Sequence, residues 1–328
     1  MPQKIEISHR TIVFTVFFLA FLWLLIQIRQ IILALFVATI LMAALNPLVD
    51  KLEKLKLPRV LAALLIFIFI IGGFGVTLGL IISPLVEQTA LLVNKLPANV
   101  PYFPILGLDG SALLGQFVEV GRIPANLVRL AFGFFSNLVG IFAIFVITFY
   151  LLLERKNLDK YLVMLFGEGE EAKAKIVIDK IEEKLGGWVR GQIILMLVVG
   201  ILDFIGLKLL GIEFALPIAI LGGLLEIVPN IGPTVATVPA VLAGLTVSLP
   251  HAAAAAGWYF LVQQAENTII VPKVMQKATG VYPLVTILAL AAGFKLGGVA
   301  GAILAVPLVL ALQVILAEVF SLKRFSQT

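Results

Sequence analysis

Residues 226–240 read "EIVPNIGPTVATVPA" and interrupt one of the most apolar regions of a 328-residue chain. The stretch contains three prolines, one glycine, an asparagine and a carboxylate, with Leu, Ile, Val and Ala on both sides. Proline lacks a backbone donor and clashes with the preceding helical turn, and glycine is a poor helix former. The sequence therefore predicts a broken apolar helix, with Glu226 and Asn230 at the break.

The composition of the whole chain is that of a polytopic membrane protein. Hydrophobic residues make up 61% of the sequence, charged residues 13%, and the mean hydropathy is +1.12. Soluble domains are about 45–50% apolar and about 25% charged. The net charge of +5 is not accompanied by a basic stripe with interleaved aromatics, so we expect no nucleic-acid partner. The chain has no cysteine and hence no thiol chemistry.

Apolar runs of the right length for membrane-spanning helices recur along the chain, because a span needs roughly 20 mostly apolar residues. The clear candidates are 11–27, 31–49, 60–82, 127–153, 191–210, 251–271 and 297–320. Shorter apolar runs occur at 212–228, 231–248 and 280–293. The pattern predicts an all-α polytopic fold of about eight transmembrane helices, with broken or re-entrant helical hairpins in the C-terminal half.

Lysine and arginine predict the orientation, because they concentrate in cytoplasmic loops. Segment 154–190 contains eight of them, whereas 83–125 contains two. We therefore expect 154–190 and both termini to be cytoplasmic and 83–125 to be external, in a protein of the cytoplasmic (inner) membrane. The predicted parts are N-terminal transmembrane helices in 1–153, a cytoplasmic amphipathic helical segment in 154–190 and a transport core in 191–328. We expect the amphipathic segment to lie on the membrane surface or on a neighbouring subunit.

The same orientation requires 212–248 to begin and end outside and 280–320 to begin and end inside. Segment 212–248 is either two thin spans or one hairpin with "PNIGP" as its tip, which includes Pro229, Gly232 and Pro233. Segment 280–320 has "GFKLGG" at its turn, so Gly293 and Gly297 count among the hinge or tip positions. The small-x-x-x-small spacings at Gly72, Gly75 and Gly79, and at Gly293, Gly297 and Gly301, also predict helix-packing surfaces.

Enzyme motifs are missing from the sequence. It contains no G-x-x-x-x-G-K-[ST] phosphate loop, no H-E-x-x-H and no G-x-S-x-G. We therefore expect neither an enzyme nor an ATP-driven pump, and no cofactor or metal besides a coupling ion, H⁺ or Na⁺.

Polar side chains inside apolar segments are the candidate site residues, because such groups are expensive in lipid and normally face a cavity, a partner or an ion path. They are Asp203, the broken-segment residues Glu226, Asn230 and Thr234, and Gln263, Glu266 and Asn267, which share one helix face at i, i+3 and i+4. A structural role is the alternative: capping or ion pairing for Glu226, pairing with Lys208 for Asp203, and hydrogen bonds between helices for Gln263, Glu266 and Asn267. Discontinuous helices point their ends at substrates and coupling ions in secondary transporters, which favours a transport site at the break.

Four stretches of the second half form a combined pattern: "WVRGQ" (188–192), "GIEFALPIAILGGLLEIVPNIGP" (211–233), "QQAENTIIVPKVM" (263–275) and "YPLVTILALAAGFKLGGVAGAILAVPL" (282–308). This pattern resembles the AI-2E (autoinducer-2 exporter-like) family of bacterial and archaeal membrane proteins. The resemblance covers most of the chain and is strongest from 188 to 320. The N-terminal 150 residues match the family in hydropathy and layout more than in motif.

The resemblance implies an integral membrane transporter. Members of the family are associated with export of the signal autoinducer-2, others with Na⁺/H⁺ antiport, and some look pentameric with an elevator-like mobile part. By that likeness we expect a homo-oligomer, with a pentamer favoured, surrounded by membrane lipid. The mobile or substrate-handling positions would be Glu226, Pro229, Asn230, Gly232, Pro233, Gln263, Glu266, Asn267 and Pro272.

Three functions follow as hypotheses. The first is a secondary transporter or exporter of a small polar solute resembling autoinducer-2, with H⁺ or Na⁺ as the candidate coupling ion. The second is a Na⁺/H⁺ antiporter in which Glu226, Glu266 or Asp203 titrates, since poorly hydrated carboxyl groups exchange protons nearer to neutral pH. The third is a membrane scaffold that does not transport and packs partners on its glycine faces. Carboxyl groups on broken or polar-faced helices favour the first two.

The predicted orientation is testable by cysteine labelling, because the natural chain contains no cysteine. We expect a cysteine in place of Lys156 to react with a membrane-impermeant thiol reagent only from the cytoplasmic side. A cysteine in place of Leu106 should react only from outside. Labelling of the Leu106 position from the cytoplasmic side would overturn the orientation.

Overall fold

The computed structural model describes residues 9–99, 138–169, 171–229, 231–275, 280 and 283–325, and these residues are almost entirely helical. The helices are α1 (His9–Gln27), α2 (Arg29–Lys54), α3 (Arg59–Asn99), α4 (Leu138–Glu154), α5 (Leu158–Phe166), α6 (Glu171–Leu209), α7 (Ala215–Leu225), α8 (Ile231–Val247), α9 (Leu249–Ala265), α10 (Val271–Met275) and α11 (Pro283–Phe325). A 3₁₀ turn joins α4 to α5, and the π-helical segment Glu266–Ile270 joins α9 to α10. No strand occurs in the described ranges.

Five of the described helices are long and apolar enough to cross a membrane: α1, α2, the part Arg59–Ile81 of α3, α6, and Leu284–Glu318 of α11. Helices α7 and α8 are apolar but shorter. Helix α1 buries none of its residues, and Phe14 and Phe17 are 70% and 73% exposed. An apolar helix with no polar face needs lipid around it. The predicted all-α, multi-pass membrane fold is therefore confirmed.

The predicted loop between the third and fourth spans falls partly outside the described residues. Helix α3 continues beyond the expected end of the span at residue 82 and ends at Asn99. The predicted span 127–153 is seen from Leu138 onward, as α4. Residues 100–137 lie outside the described ranges, so the expected external position of 83–125 stays a prediction.

Helix α6 is the central element, and it joins two segments that the sequence suggested were separate. Its 39 residues extend about 58 Å at 1.5 Å per residue, about twice the roughly 30 Å hydrocarbon core. Leu185 and Trp188, on its amphipathic half, pack in one apolar cluster with Ile40 of α2 and Leu290 of α11. The expectation that this face lies on the membrane surface or a neighbouring subunit is therefore wrong for these residues, because the chain itself covers them.

Helices α7 and α8 form the first hairpin, with the predicted break between them. Both are shorter than the membrane core, at about 17 Å and 26 Å, and they pack against each other. Helix α7 also packs closely on α6, because both lack side chains at the crossing. A Cβ on Gly223 would lie 2.6 Å from the carbonyl oxygen of Met196, and a Cβ on Gly200 would lie 3.5 Å from the Cα of Gly223.

Helix α11 is a second hairpin, because its backbone leaves the helical region at Gly297 and Gly298. Gly298 has φ +60°, which favours glycine. Gly293 and Gly301 then face each other so closely that a Cβ on either would overlap the carbonyl group of the other. The predicted turn in "GFKLGG" is thus present, with a glycine contact between its arms. Gly72, Gly75 and Gly79 have open space around them, so none of the described helices packs on these three glycines.

A buried arginine holds the N-terminal helices together. The Arg59 guanidinium, 9% exposed, lies 2.6 Å from Asp50 Oδ1 and 3.1 Å from Glu53 Oε2, and its Nε donates to the Leu152 carbonyl at 2.8 Å. It also donates to Asn46. One side chain therefore links α2, α3 and α4.

Replacement of Arg59 by methionine should destabilise the protein by about 2–3 kcal/mol, because the Leu152 carbonyl loses its donor while Asp50 and Glu53 keep some access to water. Thermal or denaturant unfolding of the purified protein in detergent measures the change. Lys51→Met, at an exposed position on α2, is the matched control and should have little effect. Equal unfolding of the two variants would contradict a structural role for Arg59.

Candidate functional site

Three carboxylic acids are buried together in the C-terminal half. Asp203 lies on α6, Glu226 directly follows α7, and Glu266 begins the π-helical segment; they are 1%, 0% and 1% exposed. Glu226 and Glu266 are neighbours, and Asp203 lies against Gly222, one turn before Glu226. The structure thus gathers the three carboxylates that the sequence singled out into one place.

The break after α7 positions Glu226. Its backbone N–H continues the helix to the Gly222 carbonyl at 3.1 Å, while its own carbonyl accepts a hydrogen bond of 2.6 Å from Nε2 of Gln192. Gly232 lies against the end of α7 so closely that a Cβ would overlap the Leu225 carbonyl. The hairpin therefore doubles back beside Glu226. Asn230 lies outside the described residues, so its predicted role stays a prediction.

Glycine makes room for Asp203. A Cβ on Gly222 would lie 2.5 Å from Asp203 Oδ2, and the Tyr259 hydroxyl of α9 lies beside the same carboxyl group. The pairing with Lys208 that the sequence allowed is wrong. Lys208 is exposed whereas Asp203 is buried, and no described cation forms an ion pair with Asp203.

A π-helical turn positions Glu266. The N–H of Val271 bonds to the Glu266 carbonyl, five residues back. Pro272 follows, and its ring needs the space that a widened turn provides. Gln263 donates to Glu266 Oε2 at 3.2 Å, as the predicted helix face requires. Asn267, however, is exposed, and so is Pro272, so neither shares the buried environment of Glu266.

The buried polar atoms of this cluster lack hydrogen-bond partners within the described chain. They are both carboxyl oxygens of Asp203 and of Glu226, the hydroxyl of Tyr259, and Oε1 of Gln192. An ionised carboxylate without a partner is costly to bury, so such a group needs a proton, a cation or a hydrogen-bonding solute. Among the described residues, no set of three or more acidic or histidine side chains is arranged to hold a metal ion.

Sequence reasoning missed two members of the cluster, Gln192 and Tyr259, which are 3% and 4% exposed. Both have a sequence signal. Gln192 is a polar residue one step inside the apolar half of α6, and Tyr259 lies four residues before Gln263, on the same helix face.

An open groove of about 450 Å³ runs between α8 and α9 next to this cluster. Its walls are mainly apolar, and the lining residues with polar side chains are Thr234, Thr237, Tyr259, whose hydroxyl is buried, and Gln263. Tyr259 lies beside Asp203, and Gln263 is hydrogen-bonded to Glu266. The groove therefore reaches the two side chains that contact the buried acids.

A polytopic helical protein with a broken-helix hairpin and buried, unpaired acids belongs to the class of membrane transporters. Comparison with known proteins agrees: the chain belongs to the AI-2E transporter family, whose profile matches residues 12–321. It is 28% identical over 308 residues to the "Putative transport protein YtvI" of Bacillus subtilis, covering 81% of this chain and 82% of that one. It is 25% identical over 322 residues to "Putative transport protein YrrI" of the same organism, covering 93% and 91%. The "AI-2 transport protein TqsA" of Escherichia coli is 25% identical over 296 residues, covering 88% and 84%.

Gly232→Val should displace the tip of the first hairpin, because the new side chain overlaps the Leu225 carbonyl. We expect a loss of stability of about 1–3 kcal/mol and reduced transport per assembled protein. Unfolding in detergent and flux into proteoliposomes measure the two effects. Gly257→Val is the matched control, because Gly257 is helical and has open space around it. Equal behaviour of the two variants would show that the tip is not held against α7.

Proposed function

We propose that this chain is a secondary transporter that exports a small polar solute across the cytoplasmic membrane, with protons as the coupling ion. The observation that carries the proposal is the pair of buried acids Glu226 and Glu266, which are neighbours and have no basic partner among the described residues. The solute class is supported by the Escherichia coli relative, whose name assigns it AI-2.

The acids explain how a proton would be exchanged for a solute. Two adjacent buried carboxyl groups are accommodated when they share a proton, so their titration belongs to the pair. A solute with hydroxyl groups supplies hydrogen bonds to the same oxygens, and binding of proton and solute is then linked. The α8–α9 groove gives the solute a route to Tyr259 and Gln263.

The second candidate is a Na⁺/H⁺ antiporter. It is favoured by Gln192, whose buried Oε1 has no described partner and lies on the side chain that binds the Glu226 carbonyl. Amide, carbonyl and carboxylate oxygens are the ligands that hard cations prefer. A scaffold without transport is disfavoured, because buried acids without partners destabilise a protein that has no use for them.

Flux into proteoliposomes separates these functions. The purified full chain is reconstituted with an imposed pH gradient, and uptake of autoinducer-2 and of Na⁺ is followed in parallel. Solute uptake that follows the pH gradient without Na⁺ supports the proposal. Na⁺ flux without solute flux supports the antiporter, and no gradient-dependent flux of either kind contradicts both.

Glu266→Gln should abolish the response of flux to the pH gradient, because glutamine keeps the shape of the side chain and its bond to Gln263 but carries no titrating proton. The same proteoliposome assay measures it, with assembly checked by gel filtration. Glu213→Gln, at an exposed carboxylate, is the matched control and should leave flux unchanged. If Glu266→Gln keeps a normal flux and pH dependence, Glu266 is structural.

A further inference from the structure

A second cavity, of about 400 Å³, lies between α6, α10 and α11 and shares no lining residue with the α8–α9 groove. Its lining residues are Lys180, Glu183, Lys184, Gly187, Arg190, Gly191, Ile194, Val274 and Val314. Nothing in the transport site accounts for it, since the three buried acids are not among its walls.

The walls of this cavity change from charged to apolar along α6. Lys180 and Lys184 lie one turn apart at one end, and Ile194 lies at the other, joined by Val274 of α10 and Val314 of α11. The change falls where the amphipathic half of α6 meets its apolar half. That is the position expected for the boundary between lipid headgroups and hydrocarbon.

The charged end is positive. Lys180, Lys184 and Arg190 stand against two carboxylates, Glu183 in the lining and Glu318 at the rim. Lys180 is also paired with Glu318 of α11, at 2.8 Å between Nζ and Oε2, which fixes the rim between the two helices. Arg190 adds a planar guanidinium of the kind that binds phosphate oxygens in pairs.

We propose that this cavity binds an anionic phospholipid, with its phosphate at Lys184 and Arg190 and an acyl chain along Ile194, Val274 and Val314. Basic pockets between membrane helices on the cytoplasmic side bind such headgroups. The apolar end distinguishes a lipid from a soluble phosphate ester, which would leave that end unused.

The bound lipid would join α6 to the segment that carries Glu266. Val274 lies on α10, directly after the π-helical segment. In the cavity wall α10 already touches α6: a Cβ on Gly191 would lie 2.9 Å from the sulfur of Met275. The lipid therefore lies between α6 and α10. Its binding does not depend on what the protein transports.

Native mass spectrometry of the purified full chain in detergent tests the proposal. The protein is titrated with phosphatidylglycerol, with phosphatidylcholine and with inorganic phosphate. We expect one phosphatidylglycerol to be retained at concentrations at which phosphatidylcholine is not, and phosphate alone not to displace it. Equal retention of both lipids, or full displacement by inorganic phosphate, would overturn the proposal, the second result indicating a soluble-anion site.

Two variants locate the site. The double variant Lys184→Gln/Arg190→Gln should bind phosphatidylglycerol at least about tenfold more weakly, because each basic residue at a membrane surface attracts anionic lipid. Lys51→Gln/Lys54→Gln removes the same charge from exposed positions on α2 and should bind normally. An equal loss in both double variants would mean that only overall charge matters.

A third variant tests the acyl-chain end without a change of charge. Val314→Phe fills the apolar wall and should weaken retention of phosphatidylglycerol, whereas the same change at exposed Leu312 should not. The melting temperature of each variant in phosphatidylcholine shows whether it is folded. Normal lipid retention by a folded Val314→Phe would contradict the placement of the chain.

Discussion

The main constraint on the C-terminal half of this protein is the free-energy cost of burying carboxyl groups that have no basic partner. Asp203, Glu226 and Glu266 are each almost fully enclosed, and no described lysine or arginine offsets them. A protein that needed only stability would replace such groups by apolar ones. The helices instead approach closely enough to enclose them, through Gly222 beside Asp203 and through the crossing of Gly200 and Gly223.

The same region must also provide hydrogen-bond partners for backbone groups at the helix breaks. In hydrocarbon an unpaired carbonyl or amide is expensive, so irregular backbone is tolerated only where protein or water provides partners. At the first break the partner is the Gln192 amide, which donates to the Glu226 carbonyl. At Pro272 the helix widens into a π-turn and keeps its hydrogen bond from Val271 to Glu266. Each irregularity therefore positions one buried carboxyl group: the break after α7 positions Glu226, and the π-turn positions Glu266.

Sequence patterns predicted the breaks because proline and glycine act locally, and they predicted the acids because carboxylates are rare in apolar segments. Partners across helices are set by packing, so Tyr259 and Gln192 were missed and the pairing of Asp203 with Lys208 was wrong. Asn267 is exposed because the π-turn shifts the helix register after Glu266, which a regular helical spacing cannot anticipate. The sequence pattern predicted a division of α6 at residue 190 because its first half is charged and its second half is apolar. Both halves have helical periodicity, and the structure shows one continuous helix.

That continuity fixes the distance of Asp203 from Arg190 along the helix axis. Asp203 follows Arg190 by 13 residues on one helix, which corresponds to about 20 Å of rise. If Arg190 marks the cytoplasmic boundary, Asp203 lies about two-thirds of the way across a roughly 30 Å core. Asp203 contacts the Gly222 position one turn before Glu226, and Glu266 is next to Glu226, so the three acids lie at similar depth. A carboxyl group at that depth is beyond the reach of bulk water, so in the proposed function the proton and the solute pass through the protein to reach it. The α8–α9 groove has Tyr259 and Gln263 in its wall and is the described opening next to the acids.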